Sequence, residues 1–328
     1  MRCISRAKSA ALVCVASISL FTGGCIGGKG ATPVTAYELK NYNQDLYQGK
    51  LYAEELCVAQ NDVALEGYTE DTELHSAALF DLTGERVLYS YKAHERLYPA
   101  STTKIMTALL AIENADLDAQ VTISGNADAS SFSADAQVCG LAKGEVWTLR
   151  DLLGALLLYS GNDAATAIAE YVGGSEEAFV NMMNRRAQEL MANGTHFMNP
   201  HGLHDDNHYT TAYDLYLIFN ECIKHEDFVN IIQSEAYTAY YTDVDGNSQE
   251  ALFTPTNLYA QGEVDVPENV TIVGGKTGTT DEAGYCLILM EKDSSDNPYI
   301  SIVMGASEKP VLYEDMTSLI EAIPSGQQ

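Results

Sequence analysis

Apolar and polar positions change rhythm three times along the chain. Between residues 76 and 93, "SAALFDLTGERVLYSYKA" alternates on either side of Thr83-Gly84, the pattern of two strands joined by a tight turn. "TTKIMTALLAIENA" (102–115) then runs apolar at helical spacing. "TLRDLLGALLLYSGN" (148–162) opens with Thr148 as an N-cap and Asp151 three residues on. Phe179, Met183, Ala187 and Leu190 recur at spacings of three and four, one apolar helical face, and "TTAYDLYLIFNECIKH" (210–225) repeats the cap pattern with Thr211 and Asp214. The last third returns to strands in "NVTIVGGKTG", "AGYCLILMEK" and "PYISIVMGAS", before the amphipathic stretch "LYEDMTSLIEAI". Strands at both ends with helices between predict a mixed α/β (α+β) fold. One sheet is assembled from distant segments, and a helical lobe at about 120–240 is inserted into it. Clefts between such lobes are where active sites form.

The N-terminus reads differently. Arg2, Arg6 and Lys8 precede an apolar run, Ser9–Phe21, that is too short to span a bilayer and fits an export signal. Gly23 and Gly24 before Cys25 resemble a bacterial lipoprotein box, which makes Cys25 the expected lipidation site. Residues 1–24 are expected to be the signal peptide, 25–55 a Gly-, Tyr- and Asn-rich tether, and 56–328 the folded domain. The expected location is extracytoplasmic, either secreted or membrane-anchored through lipid alone. The 328 residues carry 18 basic and 46 acidic side chains, a net charge of −28. Such a surface repels nucleic acid and anionic lipid, excluding both as partners. Beyond Cys25 the cysteines are Cys57, Cys139, Cys222 and Cys286, widely spaced and without C-x-x-C; they are expected as buried free thiols.

The candidate chemistry starts at Ser101 and Lys104, three apart at the mouth of an apolar helix. A serine hydroxyl needs a base within hydrogen-bond reach, and a lysine serves only if burial or a second cation lowers its pKa. A helix start also supplies backbone donors for an oxyanion. S-x-x-K is common by chance, and Ser5–Lys8 inside the signal is another copy. Lys276-Thr277-Gly278 ends an apolar strand whose edge could pair with an extended peptide. Lys276 supplies the second cation, and the Thr279 N–H a second oxyanion donor. Ser-x-Asn occurs at Ser124–Asn126, Ser160–Asn162 and Ser295–Asn297. Ser160 is preferred because it closes an apolar helix, where its hydroxyl could relay a proton. A rival chemistry is a zinc site built from His196, His201, His204 and His208 with Asp205 and Asp206, although no H-E-x-x-H is present.

In order and flanks, "YPASTTKIMTALL", "LLLYSGNDAATAIAEYVGG", "FMNPHGLHDDNHYTTAYDL" and "GGKTGTTDEAGYCL" resemble the low-molecular-mass penicillin-binding proteins that are D-alanyl-D-alanine carboxypeptidases. The resemblance implies a β-lactamase/transpeptidase-like fold: an antiparallel sheet flanked by helices, with an inserted all-helical lobe. It implies Ser101 as the acylated nucleophile, Lys104 as its base and Ser160 as a catalytic partner. It implies Asn162, Lys276, Thr277, Gly278 and Thr279 as substrate-binding residues. The implied partners are wall stem peptides ending in D-Ala-D-Ala, with β-lactams as inhibitors and no metal or cofactor. Many relatives carry a late arginine that helps hold the substrate carboxylate; here no arginine follows Arg186. That contact would fall to Lys276, the hydroxyls of Thr277, Thr279 and Thr280, and Lys309. The rival readings are a class A β-lactamase, with Glu177 in an E-x-x-V-N version of its glutamate motif, and a wall-binding protein with weak turnover.

Overall fold

The computed structural model describes residues 56–58, 61–65 and 75–324; the export signal, Cys25 and the tether lie outside them. Strands β1 (Ser76–Asp81) and β2 (Arg86–Tyr91) form the expected hairpin. A 3₁₀ turn, Ala100–Thr103, leads into helix α1 (Lys104–Asn114). Two three-residue strands follow, β3 (Gln120–Thr122) and β4 (Val146–Thr148). Helix α2 (Leu149–Gly154) continues as a π-helical turn, Ala155–Tyr159, and gives way to α3 (Asn162–Gly173) and α4 (Glu176–Glu189). Next come α5 (Ala212–Cys222), α6 (Glu226–Ile232), β5 (Tyr237–Thr242), β6 (Ser248–Phe253) and a single turn, α7 (Leu258–Gln261). The chain closes with β7 (Val270–Thr280), β8 (Gly284–Asp293), β9 (Pro298–Ala306) and α8 (Lys309–Glu321).

The main sheet has the order β2-β1-β9-β8-β7, every pair antiparallel. Ala78 on β1 opposes Ile302 on β9, so the two ends of the domain meet in one register. Strand β1 is buried on both faces. Ala77 and Leu79 pack with Leu312, Met316 and Leu319 of α8, while Ala78 and Phe80 join the core of the helical lobe. Phe80 stacks on Tyr216 of α5 at 4.0 Å between ring centroids, and burying each such side chain contributes about 1.5–3 kcal/mol. Caps set the helix starts. The hydroxyls of Thr148, Ser175 and Thr211 accept from the N–H groups of Asp151, Ala178 and Asp214, each worth about 1 kcal/mol.

The expectation of an all-helical lobe needs amendment. Strands β3-β4-β5-β6 form a second, four-stranded antiparallel sheet within it. Its anchor is Trp147 on β4, stacked against Tyr241 on β5 at 4.2 Å and 5°. Strands of three residues are too short to betray themselves by alternation. The four described cysteines are free, but Cys139 is only half-buried, unlike Cys57, Cys222 and Cys286. Among the described residues no helix is long and apolar enough to cross a membrane.

Candidate active site

Ser101 sits on the 3₁₀ turn ahead of α1 rather than on the first α-helical turn. That turn is held from two sides. Thr102 Oγ1 donates to the Pro99 carbonyl at 2.7 Å, and Thr107 Oγ1 donates to the Pro200 carbonyl at 2.6 Å. Gly202, at φ +87°, lets the 200–203 loop lie against it; a Cβ there would fall 1.9 Å from the Ala100 oxygen.

Lys104 is fully buried, and its Nζ lies 2.9 Å from Ser101 Oγ, 2.7 Å from Asn162 Oδ1 and 2.6 Å from the His201 carbonyl. Burial, with the charge of Lys276 adding to it, holds this amine well below the ordinary lysine range. A neutral amine has two N–H bonds and one lone pair. Asn162 and His201 offer only acceptors, so they take both hydrogens and leave the lone pair facing the Ser101 hydroxyl. The arrangement suits a general base.

Lys276 comes from β7 and is also buried; its Nζ donates to Ser160 Oγ and to the Thr277 carbonyl, both at 2.9 Å. Burial alone draws its pKa down to about 7. Ser160 follows the π-helical turn at φ 71°, a left-handed conformation rarely held by a non-glycine residue and frequent at functional sites. Its neighbour Asp163 fixes the facing loop by accepting from the N–H groups of Cys139, Gly140 and Leu141. Strand β7 passes directly over the serine turn at Gly278, where a Cβ would lie 2.9 Å from the Pro99 oxygen and 3.0 Å from Ser101 N.

These elements enclose a cavity of about 370 Å³ lined by Ser101, Ser160, Asn162 and the run Thr277–Thr280. The eight residues singled out in the sequence therefore converge: six line the cavity, while Lys104 and Lys276 stand behind Ser101 and Ser160. Lys309, at the start of α8, lines it as well. Thr280 is partly committed, since its hydroxyl accepts from the Ala283 N–H. Gln137, Gly202 and Thr256 also line the cavity, and Thr256 Oγ1 is hydrogen-bonded to Thr277 Oγ1. None of the three was named as a site residue from the sequence: Gln137 and Thr256 arrive on loops without a motif, and Gly202 lies within the quoted segment "FMNPHGLHDDNHYTTAYDL".

The competing motifs have other places. Ser124 Oγ accepts from the N–H groups of Asn126 and Ala127 in a turn after β3, and Ser295 lies in a turn gathered by Asp293. Glu177 is exposed on the first turn of α4 and is not among the cavity residues. The four histidines serve the 194–211 loop. His196 Nδ1 pairs with the Asn207 carbonyl, and His201 Nδ1 accepts from the Leu203 N–H. His208 sits between Thr103 Oγ1 and the Met198 N–H, and His204 lies 3.3 Å from Asp206. Burial lowers His201 to about 3 and His208 to about 4, keeping both neutral.

The model of the D-alanyl-D-alanine carboxypeptidase family, peptidase family S11, matches residues 64–308. The chain belongs to this family. A D-alanyl-D-alanine carboxypeptidase of Bacillus subtilis is 34% identical over 252 residues, which are 76% of this chain and 61% of that protein. One from a Streptomyces species, strain K15, is 32% identical over 241 residues, 71% of this chain and 81% of that one. Among solved structures, the Streptomyces K15 DD-transpeptidase superposes with a TM-score of 0.71 at 28% identity, covering 78% of this chain and 98% of that one. Penicillin-binding protein 5 of Haemophilus influenzae gives a TM-score of 0.68 at 26% identity, covering 78% and 72%. The chain spans about three fifths of the length of the Bacillus relative and of a second one, from Escherichia coli.

Proposed function

We propose that this chain is a serine D,D-carboxypeptidase that removes the terminal D-Ala from peptidoglycan stem peptides and is acylated by β-lactams. The observation that carries the reading is the buried Lys104 amine, held by Asn162 and His201 with its remaining valence directed at Ser101 Oγ, 2.9 Å away. In the reaction, Ser101 Oγ attacks the carbonyl of the penultimate D-Ala as its proton passes to Lys104. The developing oxyanion is held by the N–H groups of Ser101 and Thr279, and the proximity of Gly278 to Ser101 N supports that pairing. The D-Ala amine leaves with a proton relayed through Ser160, which Lys276 orients. Water then cleaves the Ser101 ester, with Lys104 acting again as base. Asn162, Thr277 and Thr279 position the peptide, Gly278 keeps its path open, and no step calls for a metal or cofactor.

The same reading places the enzyme outside the cytoplasmic membrane, exported by residues 1–24 and held through lipid on Cys25. Cys25→Ser then releases it from the membrane fraction. The catalytic test is D-Ala release from a pentapeptide ending in D-Ala-D-Ala: wild type releases it and Ser101→Ala does not. Penicillin bound without any D-Ala release supports a wall-binding protein instead, and rapid penicillin turnover supports a β-lactamase.

A further inference from the structure

The first turn of α3 carries a charge that no step of the acylation uses. Asp163 is fully buried there, a place where the helix dipole favours an acidic side chain. Its Oδ1 accepts from the N–H groups of Cys139 and Ala164, both at 2.9 Å. Its Oδ2 accepts from those of Gly140 at 2.9 Å and Leu141 at 3.1 Å. Every one of these partners donates, so the site accommodates the ionised carboxylate. The preceding residue ties the same turn to the base. Asn162 Oδ1 lies 2.7 Å from Lys104 Nζ, and the Asn162 N–H donates to the Gln137 carbonyl at 2.8 Å. A Cβ on Gly161 would meet both the Cys139 sulfur and Asp163 Oδ1, so the thiol and the carboxylate crowd one point at the helix mouth.

Lys104 has a difficulty that this charge addresses. Loss of water and the neighbouring charge of Lys276 both push its proton affinity down. A base pushed too far down is a weak one, because general-base catalysis follows basicity. The titratable groups around the amine come from every element packed against it. Lys276 comes from β7, Cys139 from the facing loop, Asp163 from α3, and His201 and His208 from the 194–211 loop. Burial keeps the Cys139 thiol and both imidazoles uncharged at neutral pH. Asp163 is then the one negative charge acting on Lys104 among the described residues. The hydrogens of the neutral amine go to Asn162 and to the His201 carbonyl. The carboxylate therefore acts through space, favouring arrival of a proton on Lys104 without binding the amine as an ion pair.

We propose that Asp163 is a positioning residue for the acylation step: its buried carboxylate steers the Ser101 proton onto Lys104, and its four backbone contacts hold the 137–141 wall of the cavity against the helix mouth. The proposal rests on Lys104 as the base in the carboxypeptidase reading and extends the machinery to a residue outside the reacting atoms.

The test is the pH profile of acylation by a fluorescent penicillin, whose acid limb reports the base losing its proton. Asp163→Asn keeps the shape of the side chain and removes its charge. Protonated Lys104 then loses a stabilising neighbour, so the acid limb should move to lower pH, by about one unit. The plateau rate should fall by up to about tenfold, the most that a base one unit weaker can lose. Asp163→Glu keeps the charge and displaces it by one methylene; it should slow acylation at every pH and leave the acid limb where the wild type has it. An Asp163→Asn acid limb at the wild-type position, however slow the enzyme, marks a purely structural role and overturns the proposal. Thermal melts monitor folding. Where Asp163→Asn does not fold, Asp163→Glu decides: an unmoved acid limb supports the proposal, and one shifted to lower pH with the charge retained overturns it. Wild type that is not acylated, or Lys104→Met that is acylated normally, refutes the reading of the base first, and this proposal with it.

Discussion

Replacing Lys104 by Met removes the amine but keeps an unbranched chain of similar length, and it is expected to move activity and stability in separable ways. A positioned general base contributes about 10²–10⁴-fold. The rate of acylation by a fluorescent penicillin should fall by that factor, equivalent to about 2.7–5.5 kcal/mol of barrier. Stability carries a second signature. In the unfolded chain Lys104 is protonated at neutral pH, whereas burial beside Lys276 lowers its folded pKa well below the ordinary value. Folding then releases a proton, so this residue makes the wild type more stable as pH rises and less stable as pH falls. Lys104→Met lacks that dependence. The stability difference, wild type minus variant, should rise by about 1.4 kcal/mol between pH 7 and pH 8. For a domain of this size that is a relative Tm change of about 3–6 °C. The titration of Lys276, near 7, is common to both proteins and drops out of the difference. Stopped-flow acylation and thermal melts at the two pH values measure both effects. Acylation within about threefold of wild type, or a stability difference that does not grow with pH, refutes a buried neutral amine as the base.

Three further outcomes follow from the geometry. Lys309 is the one cation lining the reactive cavity among the described residues and is exposed, so Lys309→Ala should raise KM for a peptide with a free terminal carboxylate by about two- to fivefold. It should spare kcat and leave the KM of a C-terminally amidated peptide unchanged, measured by D-Ala or D-alaninamide release. Gly202→Ala forces a methyl to within 1.9 Å of the Ala100 oxygen at a left-handed backbone angle. It should cost about 2 kcal/mol or more of stability and at least about 10²-fold in penicillin acylation, read by melts and labelling. Glu291 is fully buried on β8 between the sheet and α8, with Ser301 as its polar neighbour and no well-formed hydrogen bond to either carboxylate oxygen. Burial raises its pKa well above the ordinary value, so the wild type loses stability as pH climbs above the unfolded carboxylate range. Glu291→Leu should raise Tm, by more at pH 7 than at pH 5.

Much of this site was legible because its chemistry sits at the ends of regular elements. Ser101 and Lys104 announce themselves at the mouth of an apolar helix, Ser160 at the end of another, and Lys276 at the end of an apolar strand. The main sheet was legible for the same reason, since β1, β8 and β9 have long apolar runs. What escaped depends on tertiary closure. The His201 carbonyl meets Lys104 through backbone, which carries no side-chain signal, and Thr256 and Gln137 arrive on loops whose composition is ordinary. Strands β3 and β4 are too short to show a period, and the Tyr-rich β5 owes its place to Trp147 stacking across the sheet. Cys139 looked like another core thiol, yet it lies on the loop held by Asp163 and is less completely buried than Cys57, Cys222 and Cys286.

The central claim is that one hydroxyl is the nucleophile. Trypsin cuts after Arg96 and Lys104, so the peptide Leu97–Lys104 isolates Ser101. Mass mapping of penicillin-treated wild-type protein should place a single acyl adduct on that peptide at Ser101, absent from Ser101→Ala. An adduct on Ser160 or on Cys139 instead, or labelling that persists in Ser101→Ala, would contradict the account.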